Sequence, residues 1–184
     1  MSSPTADVSV RVAWADDAGA IAGVQLRAWS SAYGDLVPGD AVPSGPEAHE
    51  AAATAWAQSL QKPGDARNRV LVALERNRVC GFAITGPATD PDADPVADAE
   101  LRELTVDPGE RGKGHGSRLL QAAADTMTAD RFTRAAIWVP VGDDALRAFL
   151  TEAGWAPDGA HRELELDEAS DVRLKQVRLH TGLA

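Results

Sequence analysis

The sequence predicts a mixed α/β fold, with one mostly antiparallel sheet of about seven strands flanked by about four helices. The first basis for this prediction is that short apolar runs with strand patterning alternate with longer helical segments along the chain. The second is that a strand, a glycine-rich loop and a helix follow one another directly between residues 100 and 120. Because a further strand comes after that helix, two strands of the sheet should be parallel and joined by a right-handed crossover.

The N-terminal part of the chain predicts one strand and one helix. Residues 8–14 alternate apolar and other side chains, as expected of a strand with one buried face, and they follow a loose tail over residues 1–7. Asp16 or Asp17 then provides the N-cap of a helix that should end near Tyr33.

The next segment predicts a second helix and a β-hairpin. Ser44 begins an S-x-x-E capping box, and the alanine-rich stretch after it should be helical to about Leu60. Residues 70–74 and 79–84 are apolar runs separated by a short polar segment, a spacing typical of two antiparallel strands joined by a turn.

Residues 100–120 contain the most informative pattern of the sequence. A β-type run over residues 101–106 breaks at Asp-Pro-Gly, and three glycines at every second position lead into a helix. The first N–H groups of a helix have no intrahelical partner and lie at the positive end of the helix dipole. The loop should therefore bind phosphate groups of a ligand. Its glycines and cations are Gly112, Gly114, Gly116, Arg111 and Lys113.

The spacing excludes two common phosphate-binding loops. The P-loop requires Ser or Thr directly after Gly-Lys, but Gly114 follows Lys113 here. The dinucleotide pattern G-x-G-x-x-G requires a third glycine, and the chain has Ser117 or Leu119 at the two positions where that glycine would fall.

The C-terminal part predicts a strand, a helix and two closing strands. Residues 135–139 form a short apolar run that ends at a proline, which is typical of a buried strand in a parallel pair. An N-capping aspartate and a helix should occupy residues 143–153, and the closing strands should span residues 161–166 and 172–179.

Three motifs resemble those of the GNAT superfamily of N-acetyltransferases. Arg111, Gly114 and Gly116 match the R-x-x-G-x-G of motif A, which binds the pyrophosphate of acetyl-coenzyme A in that family. Residues 143–155 are similar to motif B, N-x-x-A-x-x-F-Y-x-x-x-G-F, with four substitutions, and residues 29–38 are similar to the family's first-helix ending, W-x-x-A-Y-x-x-L-x-P. The resemblance implies a GNAT fold, in which the two parallel strands splay apart.

The resemblance also implies acetyl-coenzyme A (acetyl-CoA) as the cofactor. In the family, the pantetheine amides bond to the free edge of the splayed strand, and the pyrophosphate lies on the glycine loop. The residues expected to bind the cofactor are Leu104, Thr105, Val106, Arg111, Gly112, Lys113, Gly114, His115, Gly116, Ser117, Asp143 and Phe149.

The reaction implied by the resemblance is direct attack of a primary amine on the thioester in a ternary complex. The Val106 amide is expected to polarise the carbonyl, and Glu100 or Glu103 is expected to accept the amine proton. On an unbroken strand these two carboxylates fall on opposite faces, so that only one would point inward, whereas a bulge would change the parity.

The acceptor side of the expected site is less completely specified. The family often protonates the leaving thiolate with the tyrosine of motif B, but Leu150 stands at that position, so Tyr33 is the candidate replacement. Tyr33 and Trp29 are also expected to line the acceptor pocket, for a small-molecule or peptide amine. The missing tyrosine leaves a second class open, a GNAT-like module that holds acyl-CoA as a sensor or partner without turnover.

Composition limits the partners and the location. Lys and Arg number 18 against 28 Asp and Glu, so the net charge is −10, and the absence of a basic cluster argues against nucleic acid. No apolar run approaches the ~20 residues of a membrane span, so we expect a cytoplasmic, single-domain chain over residues 1–184. The lone Cys80 cannot form an internal disulfide, and the histidine pattern predicts no metal site. The sequence leaves a homodimer open.

Overall fold

The computed structural model describes residues 7–184, and it contains the seven strands and four α-helices that the sequence predicts. The fold class is thus confirmed. The elements are β1 (Val8–Val12), α1 (Ala18–Tyr33), α2 (Gly45–Gln61), β2 (Arg69–Glu75), β3 (Arg78–Pro87), β4 (Asp98–Val106), α3 (His115–Ala129), β5 (Arg134–Pro140), α4 (Asp144–Glu152), β6 (Ala156–Asp167) and β7 (Val172–Gly182), with short 3₁₀ turns at Ala15–Asp17 and Pro108–Glu110.

The N-terminal tail falls largely outside the described part of the chain. Of the predicted loose tail, residues 1–6 lie outside the described residues, whereas the carbonyl of Asp7 accepts a hydrogen bond of 2.8 Å from the Arg76 N–H. The first strand is shorter than predicted, because Trp14 begins the turn that precedes α1. The Asp17 carboxylate accepts a hydrogen bond from the Trp14 N–H at 2.6 Å and so fixes that turn.

Local sequence signals explain most element ends. Arg76 and Asn77 both have positive φ, as a two-residue hairpin turn between β2 and β3 requires. Asp143 caps α4 by accepting a hydrogen bond from the Leu146 N–H. The capping box predicted at Ser44 is wrong in detail: Ser44 is the N-cap of α2, but its side chain makes no capping hydrogen bond.

The sheet is a single seven-stranded layer with the order β1-β2-β3-β4-β5-β7-β6. Every neighbouring pair is antiparallel except β4 and β5. The parallel pair is short, since Asp98, Ala99 and Glu100 pair with residues 134–136 and the register stops there. Beyond Glu100 the two strands diverge, as the predicted splay requires.

A β-bulge in β4 controls which side chains face which layer. Ile84 of β3 pairs with Glu103, and Thr85 pairs with Leu101, so Arg102 is the extra residue of β4. Leu101 packs in the α3 core on one side of the bulge, and Leu104 packs against the same core on the other. The parity of the strand therefore changes at Arg102, and Glu100 and Glu103 fall on the same face, opposite to α3.

Helices cover both faces of the sheet and form two apolar cores. On one face, α3 and α4 pack against the centre of the sheet, with Leu119, Met127 and Leu150 almost inaccessible to solvent. On the other face, α1 and α2 pack over β2 and β3, where Trp56 and Phe82 meet edge to face with ring centroids 5.3 Å apart. Among residues 7–184, none of the helices combines the length and the apolar character of a membrane span.

Replacement of Phe82 by alanine should test the core between α1, α2 and the sheet. Phe82 is inaccessible to solvent and contacts Trp56, and an alanine at this position would leave a cavity in the core. We therefore expect Phe82→Ala to lower the free energy of unfolding by about 3–5 kcal/mol. Urea denaturation followed by tryptophan fluorescence measures this change. Val96→Ala is the control, because Val96 is 75% exposed and should change stability by no more than about 0.5 kcal/mol. Equal losses in both variants would contradict the packing described.

Candidate active site

A cavity of about 750 Å³ opens where β4 and β5 diverge. It runs from the C-terminal half of α1, along the free edge of β4, to the glycine loop and the first turn of α4. Its lining contains Trp29, Tyr33, Arg102, Glu103, Leu104, Thr105, Val106, Glu110, Arg111, Gly112, Gly114, His115, Gly116, Ser117, Ile137, Trp138, Pro140, Asp143, Ala145, Leu146, Phe149 and Gln176, together with small residues of α1. The fold therefore brings most of the predicted site residues to one place.

The free edge of β4 supplies unpaired main-chain groups to this cavity. Past Glu100, the side of β4 that faces β5 has no strand partner among the described residues. N–H and C=O groups removed from water without a partner cost on the order of 1–3 kcal/mol each. An elongated ligand with amide groups can satisfy them as an added strand would.

The glycine loop forms a cradle at the end of this edge. Gly112 has φ +78°, and Gly114 has φ +83° and is the N-cap of α3, so both positions favour glycine for backbone reasons. Gly116 has a helical backbone, and an added Cβ would lie at 3.7 Å from both Phe149 and Val106, which is ordinary contact. The first N–H groups of α3 have no intrahelical partner, so the cradle can bind an anion.

The two cations of the loop have different surroundings. The ammonium of Lys113 lies 2.7 Å from the Glu110 carboxylate, which also binds Arg78 at 2.6 Å. These two cations hold the pKa of Glu110 down at about 2. Arg111, by contrast, is exposed and lines the cavity. Among the described residues, Arg111 is therefore better placed than Lys113 to meet an anionic ligand.

A buried network supports the loop from below. The side chain of His115 is only 1% exposed, its Nδ1 lies 3.1 Å from the guanidinium of Arg118, and its Nε2 lies 3.3 Å from Glu75. This last pair is not aligned as a hydrogen bond. Because Arg118 can only donate, His115 Nδ1 must accept, and Nε2 then carries the proton in the neutral ring.

Next to this network lies a cluster of residues whose side chains commonly bind metal ions, and the sequence did not reveal this cluster. Ligand atoms of Glu75, Cys80, Glu110 and His115 all lie within 4.8 Å of one another. However, His115 Nε2 carries a proton, and each oxygen of Glu110 already binds a cation. Burial also raises the pKa of the Cys80 thiol, which favours the form that does not bind metal. These interactions compete with a metal ion, so the expectation of no metal stays our prediction.

Glu103 and Tyr33 face the cavity together. Burial raises the pKa of the Glu103 carboxyl. The hydrogen bond of 3.0 Å that this carboxylate accepts from the Thr105 hydroxyl lowers the pKa, but this effect is smaller. Burial also raises the pKa of the Tyr33 hydroxyl, and the negative charges of Glu103 and Asp143 add to this effect. Tyr33 therefore stays protonated at neutral pH, beside a carboxylate with increased basicity.

Glu100 has different surroundings from Glu103, although the bulge places both on one face. Glu100 is 7% exposed, its nearest polar contact is the Thr89 hydroxyl at 3.4 Å, and it is absent from the cavity lining. Of the two carboxylates predicted as the base, the geometry supports Glu103. Leu150, at the position of the family tyrosine, is fully buried in the α3 core, and its aliphatic side chain has no proton to donate.

The remaining predicted residues lie as follows. The cavity lining includes Trp29, Leu104, Thr105, Val106, Ser117, Asp143 and Phe149. Sequence reasoning missed several lining residues, namely Ala28, Ala32, Glu110, Ile137, Pro140, Ala145 and Leu146. It also missed Arg102, which the bulge directs to the cavity, and Trp138 and Gln176, which come from β5 and β7. No local motif marks them, because a bulge and the pairing of distant strands leave no signature in a single sequence.

The sequence model of the acetyltransferase (GNAT) family matches residues 29–155, a segment that runs from the last turn of α1 to the end of α4 and contains β4 and the glycine loop. The chain therefore belongs to the GNAT acetyltransferase family, and the resemblance seen in its motifs is confirmed. No curated protein sequence matches the chain.

Solved structures of low sequence identity share this fold. The PaiA N-acetyltransferase of Thermoplasma acidophilum, solved with coenzyme A, superposes with a TM-score of 0.71 at 15% identity, covering 95% of this chain and 98% of that one. YncA of Salmonella typhimurium, solved with acetyl-CoA, gives 0.70 at 20% identity, with coverages of 96% and 94%. A ribosomal-protein-alanine N-acetyltransferase of Brucella melitensis gives 0.72 at 19% identity, with coverages of 95% and 99%. At these identities the likeness establishes the fold alone.

Alanine substitutions at two glycines of the loop should have different effects on stability. Gly114→Ala places a Cβ in a left-handed conformation and 3.0 Å from the Arg118 guanidinium, so we expect a loss of about 1–2 kcal/mol. Gly116→Ala has room and a helical backbone, so stability should stay unchanged or rise by about 0.5–1 kcal/mol. Urea denaturation of both variants decides this. If Gly116→Ala destabilises as much as Gly114→Ala, the described cradle is incorrect.

Proposed function

We propose that this chain is an acetyl-CoA-dependent N-acetyltransferase that transfers an acetyl group to a primary amine by direct attack in a ternary complex. The observation that carries the proposal is the cavity between β4 and β5, where a free strand edge leads directly into an anion-binding glycine loop. That sequence of features matches the chemistry of coenzyme A, which joins two amides to a pyrophosphate.

The residues of the cavity fit this group. The free edge of β4 from Leu104 to Val106 would pair with the pantetheine amides, and the loop from Arg111 to Ser117 would bind the pyrophosphate. Phe149 and Asp143 at α4 close the opposite wall. When bound, acetyl-CoA supplies an acetyl group activated as a thioester.

Glu103 is the proton acceptor in this proposal. An amine with a pKa of ~10.4 is an ammonium at neutral pH and has no lone pair for attack. Burial raises the pKa of Glu103 above its ordinary value, which makes this carboxylate a stronger base than an exposed one. Glu103 would accept the proton whose loss frees the nitrogen lone pair for attack on the acetyl carbon. As the carbon–nitrogen bond formed and the carbon–sulfur bond broke, the nitrogen would lose its second proton, which balances the proton that the departing sulfur takes up.

The Val106 amide and the Tyr33 hydroxyl complete the proposed site. Val106 is the last residue of β4 and lines the cavity, so its N–H is our candidate for polarising the acetyl carbonyl. Tyr33 lines the same cavity, and its raised pKa means that the hydroxyl is protonated at neutral pH. This hydroxyl would give its proton to the leaving sulfur. Because a thiol has a pKa of only ~8.5, the reaction tolerates the loss of the family tyrosine at Leu150.

Cofactor affinity should depend on Arg111 more than on Lys113. Arg111 lines the cavity, whereas the Lys113 ammonium bonds to Glu110, so Arg111→Gln should raise the Kd of coenzyme A about tenfold, equivalent to ~1.4 kcal/mol. Lys113→Gln is the matched control, and it should raise the Kd by less than about threefold. Isothermal titration calorimetry with coenzyme A measures both constants. Wild-type protein that binds no coenzyme A at millimolar concentration would overturn the proposed function.

The two carboxylates of β4 should differ in catalysis. Glu103→Gln should lower kcat/KM at least about 100-fold, the range of a lost general base, while Glu100→Gln should change it by less than about threefold. Free thiol release from acetyl-CoA with a broad panel of amines gives these rates. A fall in both variants, or in Glu100→Gln alone, would move the base away from Glu103.

The pH dependence of kcat follows from the raised pKa of Glu103. The base must be ionised to accept a proton, so kcat at saturating acceptor should fall as the pH drops through the pKa of this carboxyl in the complex. Since burial raises that pKa, the acidic limb should lie above the ordinary glutamate value of ~4.3. The residual activity of Glu103→Gln should lack the limb.

Tight cofactor binding without turnover of any amine would instead indicate a binding module.

A further inference from the structure

A second cavity, of about 710 Å³, lies between α1, α2 and the sheet. Its walls are mainly apolar, and its larger apolar side chains are Leu26, Trp29, Trp56, Leu60, Val70 and Ile84. Two of its residues, Trp29 and Arg102, also line the cavity at the divergence of β4 and β5. The two cavities are therefore adjacent, and they share Trp29 and Arg102 as a common border.

Arg102 differs from the neighbouring arginines in its partners. Arg67 and Arg69 form ion pairs with Asp65 and Asp130 at 3.0 and 2.9 Å. The guanidinium of Arg102 instead donates to two neutral oxygens, the Asn68 side-chain oxygen at 3.1 Å and the Pro87 carbonyl at 3.0 Å. Asp65 is the nearby carboxylate: hydrogen bonds from Arg67 lower its pKa most, and the charge of Arg102 adds a smaller effect. Its oxygens are hydrogen-bonded to Arg67 and not to Arg102.

The guanidinium of Arg102 consequently retains binding capacity. Arginine has five N–H donors in a planar fork that matches a carboxylate, and only two donations are made here among the described residues. The side chain is exposed at the junction of the two cavities. A guanidinium with no carboxylate of residues 7–184 in ion-pair distance is complementary to an anionic group on a ligand.

The bulge explains why Arg102 and Glu103 act on the same space. Consecutive residues of a regular strand point to opposite faces, but Arg102 is the extra residue of β4, and both side chains line the reaction cavity. One site thus presents a guanidinium and a basic carboxylate as sequence neighbours. The apolar cavity begins beside them at Trp29.

We propose that the acceptor is a free α-amino acid with a large apolar side chain. This inference rests on the proposed acetyl transfer, and it names the substrate class of that site. An α-amino acid carries an amine, a carboxylate and a side chain on one carbon, and the site offers Glu103, Arg102 and the apolar cavity to these three groups in turn. The amine would lose a proton to Glu103 and form the new amide bond as the carbon–sulfur bond of the thioester breaks and coenzyme A leaves, while the carboxylate stays bound to Arg102.

Matched acceptors test the role of the carboxylate. L-Phenylalanine, L-phenylalaninamide and phenethylamine share one apolar body, and only the first has a carboxylate. With acetyl-CoA in excess, wild-type kcat/KM should be at least about tenfold higher for L-phenylalanine than for the other two. Arg102→Gln should remove this preference by raising KM for L-phenylalanine. Arg76→Gln, at the exposed hairpin turn away from both cavities, is the control and should keep it.

The apolar cavity is tested by filling it. Ala52 lies on α2 and lines this cavity without lining the reaction cavity. Ala52→Met, which keeps a good helix former, should raise KM for L-phenylalanine at least about fivefold and leave KM for L-alanine nearly unchanged. A uniform change for both amino acids would show that the cavity does not receive the side chain.

The two proposals fail in different ways. If phenethylamine is acetylated as well as L-phenylalanine and Arg102→Gln has no effect, the substrate class is wrong and the acetyltransferase activity stands. If no amine is acetylated, titration of L-phenylalanine into the coenzyme A complex by calorimetry decides the site separately. Binding that is lost in Arg102→Gln supports the amino acid site, and absence of binding overturns it.

Discussion

The separation of β4 from β5 is the constraint on which the rest of this site depends. A parallel pair that continued beyond Glu100 would satisfy the strand groups internally and leave no room for a ligand. Among the described residues, the main-chain groups on this side of β4 from Leu104 to Val106 have no strand partner, so they are available to a ligand. The two strands are hydrogen-bonded to each other at residues 98–100 of β4. At the same place, Arg134 of β5 forms an ion pair with Asp98 at 2.7 Å. Divergence therefore begins from a fixed point.

Ion pairs fix the loops that border this opening. Arg27 of α1 binds Asp107 at 2.6 Å, which connects this helix to the start of the glycine loop. Arg178 of β7 is 13% exposed and contacts Asp90, Asp92 and Asp158 at 2.6–3.1 Å. It thereby holds the loop before β4 against the last strand. Such networks order long connections that have few apolar contacts of their own.

The bulge in β4 adds chemical function to this architecture. It lets Arg102 and Glu103 line one cavity, and it leaves Leu101 and Leu104 in the same core. Burial raises the pKa of Glu103, because a charged carboxylate is less stable away from water. The fold nevertheless places this carboxylate near the Tyr33 hydroxyl. This combination is typical of functional sites, where a group is kept in surroundings that stability alone would disfavour.

The sequence by itself determined the order and type of the elements and the position of the glycine loop. Those features depend on local rules, namely apolar periodicity, capping aspartates and the glycine positions at the start of α3, and local rules are visible in one chain. Only the tertiary structure placed Glu103 and not Glu100 in the cavity lining, turned Lys113 toward Glu110, and brought Arg102 to the border of two cavities. Each of these depends on strand register or on contacts between distant residues, and a one-residue bulge reverses the facing of every side chain after it.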